Sequence, residues 1–567
     1  MKKLIISFLI PIAFFFTIIS MPLIDYSEGN VFFYLNHLPI FYQISIFLSI
    51  YAILLFRKNF FGILYVLGFI LLLLFTPNFM LVNPWSMDSY PFVASALYVS
   101  KNGHIGPFFG IIEETPCLSL LFGSFLLITD INPIIIAKYY TAFITIILGL
   151  IFYCISNKCN FGKEISVITP MLFVSIFWPN ELHFSRQSIS LIFYLISWYL
   201  LFSLVIKRSR KIYLFLIIQI FILVLSHPAT SFFFFFNLIA VVIIGLLTRK
   251  IQKRNINLIS NVSVITILLW SIWNINYLPT SKASQVWRDV GERLIQSLLQ
   301  NPSEISGLEK IFFGYTPTYE FIINIRLLIT FIIYISVLIF PLIIYFKYNS
   351  FKTNIEIFVI SVCWAVSNLL IMIPLLYVGL PFFARPVLFT FLAWPIIGTM
   401  LYKVLQQLDK NKIKILFIIT FILVPSFLLP VIKYAPLPFI FPTKKELNNF
   451  AFLNMHWENS RVLYVERPPL FYFWMYNESS RIGGLTDPPG YLWVEVYSQG
   501  EGLDMNRVNQ TSIWITSRIL ARDAFWNFVP NYHDVINNLI LYENSVRNKV
   551  FDAGWPEYLY THPRRVG

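Results

Sequence analysis

What most limits the fold of this chain is a succession of apolar runs close to the roughly twenty residues that a helix needs to cross hydrocarbon. Residues 4–24, 61–82, 231–247 and 415–432 are examples, and none contains a charge. Backbone groups in lipid have to satisfy one another, so spanning segments are helices or closed barrels. The runs show no period-two alternation, which sets a barrel aside. Only 12% of the residues are charged, about half the share of a soluble domain. The expected fold class is an α-helical polytopic membrane protein.

The formal net charge is +14. That excess does not call for nucleic acid, because the Lys and Arg residues sit mostly in short loops between apolar runs, as the positive-inside rule requires. Cys117, Cys154, Cys159 and Cys363 lie in or beside apolar runs and show neither a disulfide framework nor metal-ligand spacing. Met1, Lys2 and Lys3 precede the first run, and no small-x-small cleavage pattern follows, so that run is expected to be a first membrane helix.

Basic clusters at Arg57–Lys58, Lys158 and Lys163, Lys207–Lys211, Arg249–Arg254, Lys347 and Lys352, and Lys403–Lys414 mark the loops expected inside. The segments at 83–116, 181–187, 227–230 and 276–320 then fall outside, with a short loop ending at Arg385. Charge parity allows residues 117–156 only one net crossing, although Asp130–Pro133 divides them into two apolar runs. The expected total is about thirteen transmembrane helices in residues 1–432. Residues 433–567 are expected to form a soluble extracytoplasmic α/β domain of normal single-domain size. In it, 444–459 and 533–551 read as helical, the latter running into a strand, while 461–466 and 512–518 read as strands.

Polar chemistry collects on the expected outer side: Asp88, His104, Glu113, Glu114, His183, Arg186, His227 and Arg385, each close to a membrane boundary. A carboxylate such as Asp88 can take a proton from a hydroxyl or help hold a divalent metal; the ordinary alternative is a helix cap. Glu113 and Glu114 can equally favour a helix start through its dipole. Arg186 and Arg385 suit a phosphate, through a planar fork that carries two parallel hydrogen bonds, or snorkel to headgroups. His183 opens a membrane helix, and His227 sits in a tight Ser-His-Pro turn. A phosphate-cradling GxxxxGK[ST], a dinucleotide glycine pattern and HExxH are all missing, so a soluble nucleotide has no visible site.

The order is an acid in the first long outer loop (Asp88), glutamates before the next run, Ser185-Arg186 at a helix start, Ser226-His227-Pro228, and an α/β tail. This arrangement resembles the GT-C superfamily of membrane glycosyltransferases, archaeal members especially, which also includes protein O-mannosyltransferases, aminoarabinose transferases and oligosaccharyltransferases. The aspartate that often follows the Ser-Arg pair is Gln187 here. The resemblance implies transfer of a sugar from a polyprenyl-phosphate donor to a protein, lipid or glycan acceptor at the outer face of the cell membrane. Asp88 would be the base, helped by Glu113 and Glu114, and the arginines would partner the phosphate. The segment from Ser185 to Leu195, followed by Leu225–Phe233, also resembles the Arg-Gln and His pair of Wzy- or EpsG-like polysaccharide polymerases. A multi-pass transporter is the non-enzymatic alternative, but its ionisable residues would be expected near the midplane, within internal repeats.

Overall fold

The computed structural model describes residues 2–24, 33–58, 60–86, 89–105, 115–177, 179, 182–275, 317–346, 355–378, 380–408 and 410–434, together with short strands beyond residue 461. The apolar runs are helices. In chain order they are α1 (Lys2–Ile19), α2 (Phe33–Asn36), α3 (Ile40–Phe56), α4 (Phe60–Met80), α5 (Ser89–Asn102), α6 (Cys117–Thr129) and α7 (Pro133–Lys158). There follow α8 (Lys163–Ser166), α9 (Ile168–Ile176), α10 (Arg186–Ile206), α11 (Arg210–Ser226), α12 (Pro228–Thr248) and α13 (Lys253–Ile275). Next come α14 (Pro317–Phe346), α15 (Ile355–Val378) and α16 (Leu380–Gln407). Finally α17 (Asn411–Ile418) passes through a π-helical turn, Ile419–Leu423, into α18 (Val424–Tyr434). Among the described residues, eight helices are long and apolar enough to cross a membrane by length and composition. The chain is thus a helical membrane protein, and side chains such as Phe15, Leu127, Phe215 and Phe346 form its exposed apolar exterior.

Contacts sort the loops onto two ends. At one end Arg57 Nη1 donates to the Tyr402 hydroxyl (3.2 Å), and Lys58 pairs with Glu164 (3.5 Å). There too Lys403 Nζ donates to Asn160 O (2.8 Å), Arg208 donates to Arg254 O (2.6 Å), and Glu356 accepts from Gln252 N (2.6 Å) and Asn255 Nδ2 (2.8 Å). The basic clusters of these loops therefore share one end. The segments at 81–86, 182–186 and 227–230 meet at the opposite end.

The divided run 117–158 forms two helices of unequal length. Asp130 turns left-handed (φ 50°), and Asn132 caps α7 by accepting from Ile134 N–H (2.9 Å), with Pro133 in the first turn. At 1.5 Å per residue the 13 residues of α6 reach about 20 Å, short of the roughly 30 Å of hydrocarbon. Within 117–158 only α7 is long enough to span. Helix α6 lies instead along α5, inside the segment expected as a polar loop, because Val93, Ala94, Ala96 and Val99 give α5 a buried apolar side. The approach is close: a Cβ on Gly123 would stand 2.6 Å from Val99.

Two other expectations change. The run at 165–179 yields only the 9-residue α9, all of it buried between α4, α7 and α16. Arg385, expected in a loop before a helix at 387–401, lies inside α16, which begins at Leu380 and passes through Pro386 and Pro395. The Thr390 hydroxyl donates to Pro386 O (2.9 Å), bonding within the helix around the proline. One group of polar side chains in the bundle is matched within itself, as a medium without water favours. The Tyr194 hydroxyl accepts from Asn237 (2.8 Å) and Trp364 (2.6 Å), and Ser367 donates to Asn237 Oδ1 (2.6 Å). Trp198 stacks on Trp364 with ring centres 4.3 Å apart.

Beyond residue 461 the described segments are strands β1 (Val462–Tyr464), β2 (Val494–Glu495), β3 (Tyr497–Ser498), β4 (Gly502–Leu503), β5 (Ile513–Ile515), β6 (Asn548–Asp552) and β7 (Tyr558–Thr561). Five of them make a sheet in the order β2-β1-β5-β7-β6, with β1 parallel to β2 and β5, and β7 antiparallel to β5 and β6. The helices expected at 444–459 and in the first part of 533–551 lie outside the described residues, as do residues 276–316 of the expected outer loop.

Candidate functional site

The site is built where α10 and α12 begin. Ser185 caps α10 in a reciprocal capping box with Ser188, and the Ser188 hydroxyl bonds the Tyr140 hydroxyl of α7 (2.9 Å). Arg186, the first residue of α10, donates from Nη1 to Thr115 Oγ1 (3.0 Å), the residue just ahead of Pro116 and α6. In the sequence Thr115 directly follows Glu114.

His227 occupies the single position between α11 and α12 and caps α12 with its ring: Thr230 N–H donates to Nδ1 (3.2 Å). The Thr230 hydroxyl lies 3.0 Å from the same nitrogen and 2.8 Å from Ser190 Oγ, and Ser190 donates to Gln187 O (2.7 Å). These hydroxyls tie the first turn of α12 to the first turn of α10. Burial, joined by the positive charges of Arg186 and Arg385, holds the imidazole well below its ordinary pKa, so it is neutral at neutral pH. Arg186, His227 and Arg385, named separately from sequence, thus share one locality. Two helix N-termini add the positive ends of their dipoles to it.

A second group lies alongside. Trp85 Nε1 donates to Thr141 Oγ1 (3.2 Å), and Thr141 donates to Leu182 O (3.0 Å), so α7 fixes both the Trp85 and the His183 segments. The Trp85 and His183 rings meet edge to face at 5.7 Å. Trp85 and Ser86, both buried, lead toward Asp88. Asp88, Glu113 and Glu114 themselves lie outside the described residues. His104 is exposed and packs edge to face on Tyr98 of its own neighbouring helix (5.3 Å); no described contact joins it to this site.

Sequence reasoning missed Lys433, Arg326, Ser190 and Thr230. Lys433 is 1% exposed and donates to Phe177 O (3.2 Å) and Pro179 O (2.7 Å), just before the His183 segment. On either side of it, Arg326 Nε donates to Ile432 O (2.5 Å) and the Tyr434 hydroxyl bonds Leu73 O and Leu74 O (both 3.1 Å). An arginine within an apolar run, as at Arg326, was the available signal. Among the described residues no three His, Cys, Asp or Glu side chains stand together as metal ligands. No model of a known protein family matches the chain, and a search of curated proteins finds no match.

Proposed function

We propose that this protein is a membrane glycosyltransferase that moves a sugar from a polyprenyl-phosphate donor to an acceptor at the outer face. The observation that carries the reading is the gathering of Arg186, Arg385 and a neutral His227 at the end away from the basic loops. Fixed donors and cations in a buried setting stabilise the negative charge that develops on a departing lipid phosphate. Asp88 is the base that takes the acceptor's proton, helped by Glu113 and Glu114. The basic end is cytoplasmic by the positive-inside rule, the helices make about thirteen crossings, and residues 433–567 form an extracytoplasmic α/β domain that shapes the acceptor site. Its described strands, with parallel β1, β2 and β5, suit that class, because parallel neighbours need long crossover connections.

The nearness of Arg186 to His227 also favours a second reading, a Wzy- or EpsG-like polymerase that joins lipid-linked glycans. The two separate on product: single-sugar transfer to a distinct acceptor against lengthening of a lipid-linked chain. The test is radiolabelled sugar transfer from polyprenyl phosphate by the purified protein. Solute movement into liposomes with no transfer from a panel of lipid donors would make it a transporter. Protease added to intact cells removes the chain beyond about Lys444 if the tail is outside; protection until lysis overturns the orientation.

A further inference from the structure

Resting on that donor reading, the geometry around His227 goes one step further than charge. Its Nδ1 is committed: it accepts from Thr230 N–H (3.2 Å), and the Thr230 hydroxyl lies 3.0 Å away. The Thr230 hydroxyl is in turn engaged with Ser190 (2.8 Å), whose Oγ also stands 2.7 Å from Gln187 O. A neutral imidazole whose Nδ1 accepts a hydrogen bond carries its proton on Nε2. No described residue bonds Nε2. Among the described residues, Arg186 of α10 and Arg385 of α16 are the charged groups that act on the ring, and both oppose a second proton on it. On the α6 side the neighbour of Ser226 is the thiol of Cys117, which adds no cation.

We propose that His227 is a fixed, neutral hydrogen-bond donor whose Nε2–H binds a phosphodiester oxygen of the lipid donor between Arg186 and Arg385, and that it is not the base of the reaction. The α12 cap sets the tautomer, so the turn that joins two helices also fixes which ring nitrogen faces the ligand. A histidine committed in this way leaves proton removal to a carboxylate.

Two substitutions divide the cap from the donor. His227→Asn keeps an acceptor for Thr230 N–H but has nothing that reaches the Nε2 position. His227→Gln places an amide N–H near that position. The full-length protein in lipid nanodiscs is titrated with a short-chain prenyl phosphodiester, whose single charge does not change between about pH 5 and about pH 8. The expected result is a loss of about 10-fold in affinity for His227→Asn, a loss of no more than about 3-fold for His227→Gln, and a flat pH profile for the wild type. Wild-type affinity in the Asn variant overturns the donor role. A wild-type affinity that climbs several-fold as pH falls through about 6.5 overturns the neutral form. If the wild type binds no prenyl phosphodiester, the glycosyltransferase reading itself falls and this inference with it. Inorganic phosphate is the second arm: competition at equal concentration assigns the site to free phosphate and removes the lipid donor, while the His227 contact stands.

Discussion

The two ends of the bundle use charge in opposite ways. At the basic end the cations are numerous and mostly exposed: they bond loop carbonyls, or pair with Glu164 in a contact whose side chains are 69% and 39% exposed. At the other end the cationic and imidazole groups around the starts of α10 and α12 are sunk: Lys433, His227 and His183 are all buried, and Arg186 and Arg385 are half-buried. Number and burial therefore report different things. The count of exposed cations orients a helical bundle in its membrane. Burial of an ionisable group is expensive, and it persists where a partner or a ligand compensates.

That contrast is open to attack by substitution, beginning where the effect is largest. Asp88→Asn is expected to insert and fold as the wild type does but to transfer sugar ~10²-fold more slowly or worse, the usual cost of losing a general base. Near-wild-type transfer removes Asp88 from the chemistry. Lys433→Met keeps the chain length of the side chain but strips two hydrogen bonds from the Phe177 and Pro179 carbonyls. Thermal unfolding in detergent is expected to show a loss of roughly 2 kcal/mol. An unchanged midpoint means that water replaces the ammonium there. Arg186→Ala is expected to weaken donor binding ~10-fold, since hydrogen bonds to charged groups are the strong ones. Arg208→Ala, at the basic end, should leave donor affinity within about 2-fold, because an exposed loop cation far from the donor contributes little. Equal losses at both ends would erase the distinction. Smallest of all, Lys58→Ala should cost about 0.5 kcal/mol or less, since its bridge to Glu164 is solvent-exposed and screened.

Much of the helical architecture could be read from local pattern. Apolar run length gave the helices, and alternation of Lys and Arg clusters separated the two ends, because both depend on the chain's exchange with lipid and water. The same alternation led to the expectation of one net crossing in residues 117–156, but run length alone did not distinguish its halves; of the two helices, α6 is the one too short to span. The buried lysine was not legible. Lys433 follows an apolar run and reads as an ordinary flank; its burial depends on α9 ending early and presenting free carbonyls at Phe177 and Pro179. The Thr230–Ser190 pair was invisible for a similar reason, since hydroxyls matter here through the neighbour that helix packing supplies. Arg385 was misplaced into a loop because Pro386 reads as a helix boundary, whereas α16 carries the proline within it.

The clamp at Ile432–Tyr434 also sets a schedule for biogenesis. Lys433 enters the chain 256 residues after Phe177, its acceptor. A chain emerges from the ribosome N-terminus first, so Arg186, His227 and Arg385 are all in place while the carbonyls beneath the His183 segment still await their ammonium. A nascent chain stalled before residue 433 holds most of its helices yet leaves Phe177 O and Pro179 O bare. Completion of the bundle coincides with the emergence of the tail, which ties the maturation of the buried end to the arrival of the segment that follows it.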